Sequence, residues 1–224
     1  KLYISVGSSC NVCVDDEHRA KILVANADGT DLKEFASGLR NSVFFRWHPT
    51  TRELWATEMG RDFLGDNLPP DEINIISDSK DYGWPLCYGN RVHDTDFDKK
   101  VYIQVVPQPP CSETQPPVYE IPAHSAPLGL VFINSPKFPS TWQNDLLVAY
   151  HGSWNREAPT GYKVVRLKVA GDKVQPEEDF LSGFLPSGAG GPSQAIGRPA
   201  DLVFDGALGI SDKRINFFQK FFPA

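Results

Sequence analysis

Seven carboxylates, Glu58, Asp62, Asp66, Asp71, Glu72, Asp78 and Asp81, fall in one stretch of chain interleaved with Gly60, Gly65, Gly83, Pro69, Pro70 and Pro85. Carboxylates and turn carbonyls are the oxygen donors of a hard cation, and Gly and Pro fix the backbone angles that aim them. The run lacks the fixed spacing of an EF-hand loop, so an ordinary solvated acidic loop is the competing reading.

A second set is cationic. Arg40 and Asn41 stand just before an apolar run, and Arg198 precedes another in the same way. His151 follows the run Leu146–Tyr150 and opens the string His-Gly-Ser-Trp-Asn-Arg, which adds Trp154 and Arg156. If the elements carrying them converge, Arg40, Asn41, His151, Arg156 and Arg198 surround one mouth. Guanidinium forks pair bidentately with carboxylates, so such a mouth suits a ligand with more than one of them. Trp154 offers a flat face for a ring. The alternative is that Arg40 and Arg198 pair with nearby Asp or Glu as structural bridges. His124, in Ala-His-Ser-Ala-Pro-Leu-Gly, is the candidate catalytic residue, against a hydrogen-bonded structural role. His18 and His93 read as solvated and His48 as structural. There is no Gly-x-Ser-x-Gly elbow or Gly-Lys-Ser/Thr phosphate loop.

The elements that must position these groups read as strands. Short β-branched and aromatic runs recur at Leu2–Val6, Lys21–Ala25, Val43–Trp47, Glu53–Thr57, Ile73–Ile76, Leu128–Ile133, Leu146–Tyr150, Lys163–Val169 and Leu202–Phe204, and turn residues bound them. Helical periodicity is almost absent, which predicts an all-β fold. Leu39-Arg-Asn-Ser-Val, His124-Ser-Ala-Pro-Leu-Gly-Leu and Arg198-Pro-Ala-Asp-Leu each lead into a strand. This weak repeat predicts a β-propeller of four-stranded antiparallel blades, each presenting a residue to the central axis, in a single domain over 1–224.

The chain has 224 residues, 41% of them hydrophobic, and a net charge of −6. No basic stripe alternates with aromatics, which argues against a nucleic-acid partner. No apolar run approaches the roughly 20 residues of a membrane span. Cys10-Asn-Val-Cys13 with Cys87 and Cys111 could suggest zinc, but the second pair is not closely spaced and no His stands nearby. Two disulfides, 10–13 and 87–111, are the simpler reading and imply an oxidising compartment, extracellular or periplasmic.

Longer strings carry a resemblance. Lys1-Leu-Tyr-Ile-Ser-Val-Gly-Ser-Ser, Gly38-Leu-Arg-Asn-Ser, His48-Pro-Thr-Thr-Arg-Glu-Leu-Trp, Met59-Gly-Arg-Asp, Pro70-Asp-Glu-Ile-Asn, Tyr82-Gly-Trp-Pro, Ala123-His-Ser-Ala-Pro-Leu-Gly, His151-Gly-Ser-Trp-Asn-Arg and Arg198-Pro-Ala-Asp run in order across nearly the whole chain. With them it resembles the soluble glucose/sorbosone dehydrogenases that depend on pyrroloquinoline quinone (PQQ), six-bladed quinoprotein propellers, near the sorbosone and fungal pyranose dehydrogenase branch. The resemblance implies that Arg40, Asn41 and Arg198 contact PQQ, with a further contact among His151, Trp154 and Arg156. It implies that the Gly60 and Arg61 carbonyls hold the PQQ-bound Ca2+. Glu72 and Tyr82, the latter through its carbonyl, would hold a separate structural Ca2+. The implied reaction is oxidation of a sugar carbinol by hydride transfer to PQQ, with Ca2+ as Lewis acid and a cytochrome or artificial acceptor taking the electrons.

Two departures accompany it. The family's general-base His lies upstream of the Lys1 strand, leaving His124 as the substitute within this chain. About four of the six blades are present, so the chain is expected to be the C-terminal part of a longer or nicked polypeptide, or an incomplete sequence, pairing with its missing N-terminal fragment. The tail from Asp205 also lacks the family's usual Asp-Asp and following Gly. A Ca2+-dependent lactonase or sugar hydrolase on a similar propeller would share the acidic site without needing the Arg cluster. A non-catalytic binding propeller would use the acidic loop structurally.

Overall fold

The computed structural model describes residues 1–102 and 110–204, so the reading of the tail from Asp205 lies outside the described residues. Its strands are β1 (Leu2–Val6), β2 (Lys21–Ala25), β3 (Lys33–Ser37), β4 (Phe45–Trp47), β5 (Leu54–Glu58), β6 (Asp71–Ile76), β7 (Lys80–Asp81), β8 (Cys87–Tyr88), β9 (Val92–His93), β10 (Tyr119–Ile121), β11 (Pro127–Phe132), β12 (Leu146–Tyr150), β13 (Lys163–Leu167), β14 (Val169–Ala170), β15 (Lys173–Val174) and β16 (Glu178–Leu181). Two 3-10 turns, Ser140–Trp142 and Pro192–Gln194, are the helical content among these residues.

The strands form three four-stranded sheets, ordered β1-β2-β3-β7, β10-β6-β5-β4 and β11-β12-β13-β16, plus the ribbons β8-β9 and β14-β15. All pairings are antiparallel except β3 with β7. The fold is all-β, as its patterning predicts, in the blade-like meanders of a propeller. The described residues supply three such sheets where four were expected, and the first is completed by a two-residue parallel strand. The runs at β1, β2 and β12 coincide with the predicted bounds. Leu202–Phe204 does not: it pairs with no strand, and Leu202 instead fills the core of the third sheet.

Successive sheets pack face to face. Ile22, Ala36 and Leu39 of the first meet Leu54, Ala56 and Ile76 of the second. Trp55, Ile73 and Ile121 of the second meet Leu130, Phe132, Val148 and Val165 of the third. Strand β12 is buried along its whole length, which is why it reads as an unbroken apolar run. Each interface leaves loops at one end of the sheets, and these carry the polar residues described next. Disulfides join Cys10 to Cys13 and Cys87 to Cys111, as read from the sequence.

Candidate functional site

A cavity of about 320 Å3 opens among loops of all three sheets, lined by Arg40, Met59, Gly60, Asp62, Asp71, His124, Ala126, His151, Gly152, Trp154, Asn155 and Arg198. That volume is at the lower end of small-molecule sites. Arg40 precedes β4, His124 precedes β11, and Arg198 lies beyond β16, so the weak repeat places its leading residues around one mouth.

Neither arginine forms an ion pair among the described residues; both grip backbone. Arg40 Nε donates to the Asn11 carbonyl at 3.0 Å, Nη1 to the Gly60 carbonyl at 2.8 Å and the Met59 carbonyl at 3.3 Å, and Nη2 to Asn11 Oδ1 at 3.3 Å. Arg198 donates from Nε to the His151 carbonyl at 3.1 Å and from Nη2 to the Gly152 carbonyl, with its guanidinium over the Tyr162 ring at 5.4 Å. A guanidinium carries five N–H groups. Arg198 therefore keeps three, and Arg40 one, without partners among the described residues.

His151 Nδ1 lies 3.0 Å from the Pro199 carbonyl, an acceptor only, so Nδ1 carries the proton. Burial lowers the His151 pKa, opposed by that hydrogen bond, and neighbouring Arg198 lowers it further. The ring is held neutral, with Nε2 an open acceptor. His124, at a left-handed φ of 66°, is differently placed: Nε2 donates to the Gly65 carbonyl at 2.9 Å, and Nδ1 stands 3.6 Å from Asp62 Oδ1. It sits between two acceptors. Trp154 is 61% exposed and meets Phe63 edge-on at 6.4 Å.

Two expected residues do not reach this cavity. Arg156 is turned to the Ala123 carbonyl (3.0 Å) and Asn67 Oδ1 (3.1 Å). Asn41 gives its backbone N–H to Glu58 Oε1 at 2.6 Å and is absent from the lining. In their places stand Asp71 and Asn155. Asn155 Nδ2 donates to Asp62 at 2.8 Å, while its Oδ1 is buried with no donor among the described residues. An orphan acceptor in a cavity wall is what a ligand N–H or O–H satisfies.

The acidic stretch divides. Asp78 and Asp81 are exposed, whereas Glu58, Asp71 and Glu72 are buried. Asp71 accepts from the backbone N–H groups of Gly60 (2.9 Å) and Ala126 (2.8 Å). Glu72 accepts from Gly89 N–H (2.7 Å) and Asn74 Nδ2 (2.8 Å). Glu58 accepts from Ser42 Oγ besides Asn41. Burial pushes Glu58 up to about 8 and Asp71 up to about 7, against these hydrogen bonds. It raises Glu72 as well. The one cation acting on Glu58 and Asp71 is Arg40. Arg61 is spent on a buried bidentate pair with Asp94, at 2.6 and 2.9 Å. Gly60, Arg61, Glu72 and Tyr82 all line a second void of about 30 Å3, together with Glu58. That is room for an ion or a water. Three buried carboxyl groups with one guanidinium nearby keep their protons unless positive charge is supplied, and a divalent cation would supply it.

His48 is buried, with Nδ1 accepting from Thr50 and Thr51 N–H and its ring against Phe132, a structural role. His93 departs from its solvated reading: its Nε2 lies 3.1 Å from Asp98.

Comparisons agree with this architecture. An uncharacterised protein of Borreliella burgdorferi is 36% identical over 217 residues, 95% of this chain and 54% of that protein. The aldose sugar dehydrogenase YliI of Escherichia coli is 28% identical over 154 residues, 69% of this chain and 36% of that one. The chain thus spans about half the length, or less, of these relatives. The Trichoderma reesei carbohydrate-active enzyme of family AA12 superposes with a TM-score of 0.72 at 20% identity, over 91% of this chain and 60% of that one. The holo PQQ domain of Coprinopsis cinerea pyranose dehydrogenase gives 0.68 at 22%, over 91% and 61%. The family model described as TrAA12-like matches residues 17–184, well over half of the chain, and the protein belongs to that family.

Proposed function

We propose that this chain carries the cofactor mouth of a PQQ- and Ca2+-dependent sugar dehydrogenase acting on an aldose, pyranose or osone. The observation that carries the reading is the 320 Å3 cavity into which Arg40 and Arg198 bring unpartnered N–H groups beside a buried, undercompensated carboxylate cluster. Arg40 and Arg198 would hold the carboxylates of PQQ, Trp154 would lie against its ring, and Asn155 Oδ1 would accept from an N–H or O–H. Gly60 and Arg61 carbonyls would hold one Ca2+, and Glu72 with the Tyr82 carbonyl a second. Gly60 already accepts from Arg40, but a carbonyl has two lone pairs.

When bound, PQQ supplies a hydride acceptor and Ca2+ a Lewis acid. The chain's own contribution is binding, orientation and proton handling. His151, neutral and open at Nε2, is the imidazole of this wall able to take a substrate hydroxyl proton; His124 instead spans the Gly65 carbonyl and Asp62 and would orient that loop. A hydrolase or purely binding propeller would have no use for two arginines aimed at one cavity. The two disulfides support an extracellular or periplasmic location.

Titration with PQQ and Ca2+ tests the reading. Wild type is expected to bind tightly and only with Ca2+, whereas Arg198→Ala weakens binding at least about 30-fold, the loss of about 2 kcal/mol from a charge-assisted pair. Equal binding by the two proteins, or none by wild type, sinks it.

A further inference from the structure

We propose that Asn11, closed into the short disulfide loop Cys10–Cys13, is a positioning residue that sets the Arg40 guanidinium and the Asp62 loop for cofactor binding; the cofactor part rests on the function proposed above. No recognised motif singles Asn11 out, yet its amide oxygen is fully engaged. Its Oδ1 accepts from Arg40 Nη2 at 3.3 Å and from Asp62 N–H at 2.8 Å, which uses both lone pairs. Its Nδ2 donates to the Asp62 carbonyl at 3.2 Å, and its own carbonyl takes Arg40 Nε at 3.0 Å.

The consequence is directional. Nε and Nη2 form one edge of the guanidinium fork, and Asn11 occupies that edge with its two oxygens. The Gly60 and Met59 carbonyls hold Nη1. The N–H group that remains is the second one of Nη2, so its direction is decided by where Asn11 sits. Asp62, clamped by the same amide, passes the constraint on: its Oδ1 meets Asn155 Nδ2 at 2.8 Å and lies 3.6 Å from His124 Nδ1. One side chain thereby links loops of all three sheets around the cavity.

A half-buried loop residue would hold such a position poorly on its own, since each ordered residue loses conformational entropy. The disulfide between its neighbours removes much of that freedom beforehand. The loop is fastened on either side as well. Ser8 N–H donates to the Arg40 carbonyl at 2.7 Å, and Asp15 accepts from Ser9 N–H at 2.8 Å and from Trp84 Nε1 at 3.3 Å. Trp84 in turn lies under Arg40, 5.6 Å from its guanidinium carbon.

The test compares wild type with Asn11→Ala, Asn11→Asp and Cys10→Ser/Cys13→Ser, following solvent exchange of the Arg40 Nε–H by 15N NMR without cofactor, then the Kd for PQQ with Ca2+, and Tm. Asn11→Ala and the cysteine pair are expected to speed Arg40 exchange and raise the Kd, each about tenfold, with Tm nearly held in Asn11→Ala and lowered by a few degrees in the cysteine pair. Asn11→Asp, which keeps the acceptor oxygens, is expected to restore the slow exchange. Exchange and Kd both within twofold of wild type in Asn11→Ala would overturn the proposal. So would a faster exchange without any change in Kd, or a Kd that rises only in step with a falling Tm. If wild type fails to bind PQQ, the functional reading falls, while the exchange rates still report whether Asn11 fixes Arg40.

Discussion

Glu58 and Asp71 hold their protons far above the range in which an unfolded chain would release them, and the reason is burial, with Glu72 adding like charge to both and Arg40 as their nearby cation. The folded pKa is raised in both cases, from 4.5 to about 8 and from 3.8 to about 7, so the folded state binds more protons than the unfolded one through that interval. The stability they contribute is complete below about pH 4 and is lost as pH rises through 7 and 8. A cation-free sample is therefore expected to lose Tm steadily from about pH 5 to about pH 8, and excess Ca2+ to flatten that fall by replacing the protons. Thermal melts in chelator and in Ca2+ across this range decide it; parallel slopes would show that no cation neutralises these groups. At this scale the sequence was partly legible. Arg40, Arg198, His151, Trp154 and His124 stand out by residue type and all line the cavity. Asn11 and Asn155 do not, because an amide in a polar loop carries no distinguishing pattern until its partners 51 and 93 residues away are brought to it.

At the scale of elements, the turn after β12 holds the third sheet's share of the cavity. Gly152 adopts a φ of 102°, and a Cβ there would stand 2.5 Å from the Tyr162 ring. The same residue gives its carbonyl to Arg198 and its N–H to the Ser125 carbonyl at 2.9 Å. Gly152→Ala is thus expected to destabilise by about 1–3 kcal/mol through positive-φ strain and overpacking, a Tm fall of several degrees at roughly 2–4 °C per kcal/mol. It should also weaken PQQ binding by moving the carbonyl that orients Arg198. Calorimetry and titration on one preparation read both; an unchanged Kd would detach this turn from the site. Strand legibility follows burial. The continuous apolar runs of β2 and β12 name themselves, whereas β3 (Lys-Glu-Phe-Ala-Ser), β10 (Tyr-Glu-Ile) and β16 (Glu-Asp-Phe-Leu) mix charge with few apolar residues. Their strand character comes from the neighbour they pair with, not from their own composition. Leu202–Phe204 errs in the opposite sense: it is apolar enough to read as a strand, yet it joins the third sheet by side-chain packing, and the backbone bond to β11 falls just before it, from Gly129 N–H to the Ala200 carbonyl.

For the molecule as a whole, the question is whether the sheets stand as separate units or share one cooperative core. Trp55, fully buried, belongs to the second sheet but packs edge-on against Phe132 of the third at 5.5 Å, and His48 lies close to both rings. The apolar cluster around it runs without interruption from Ile73 and Ile121 to Leu130, Val148 and Val165. Removing the indole leaves a void that neither face can fill alone, at a cost of about 3–5 kcal/mol. Because the void lies between two sheets, the loss should be felt by both. Hydrogen exchange followed by mass spectrometry is expected to show Trp55→Ala accelerating β5 and β6 together with β11 and β12, and β1 and β2 much less, since their contact with the second sheet runs through the separate cluster of Ile22, Leu39 and Leu54. Acceleration confined to β5 and β6 would mean that each sheet is stable by itself, and that the cavity at their common end is held only by the hydrogen bonds of its loops.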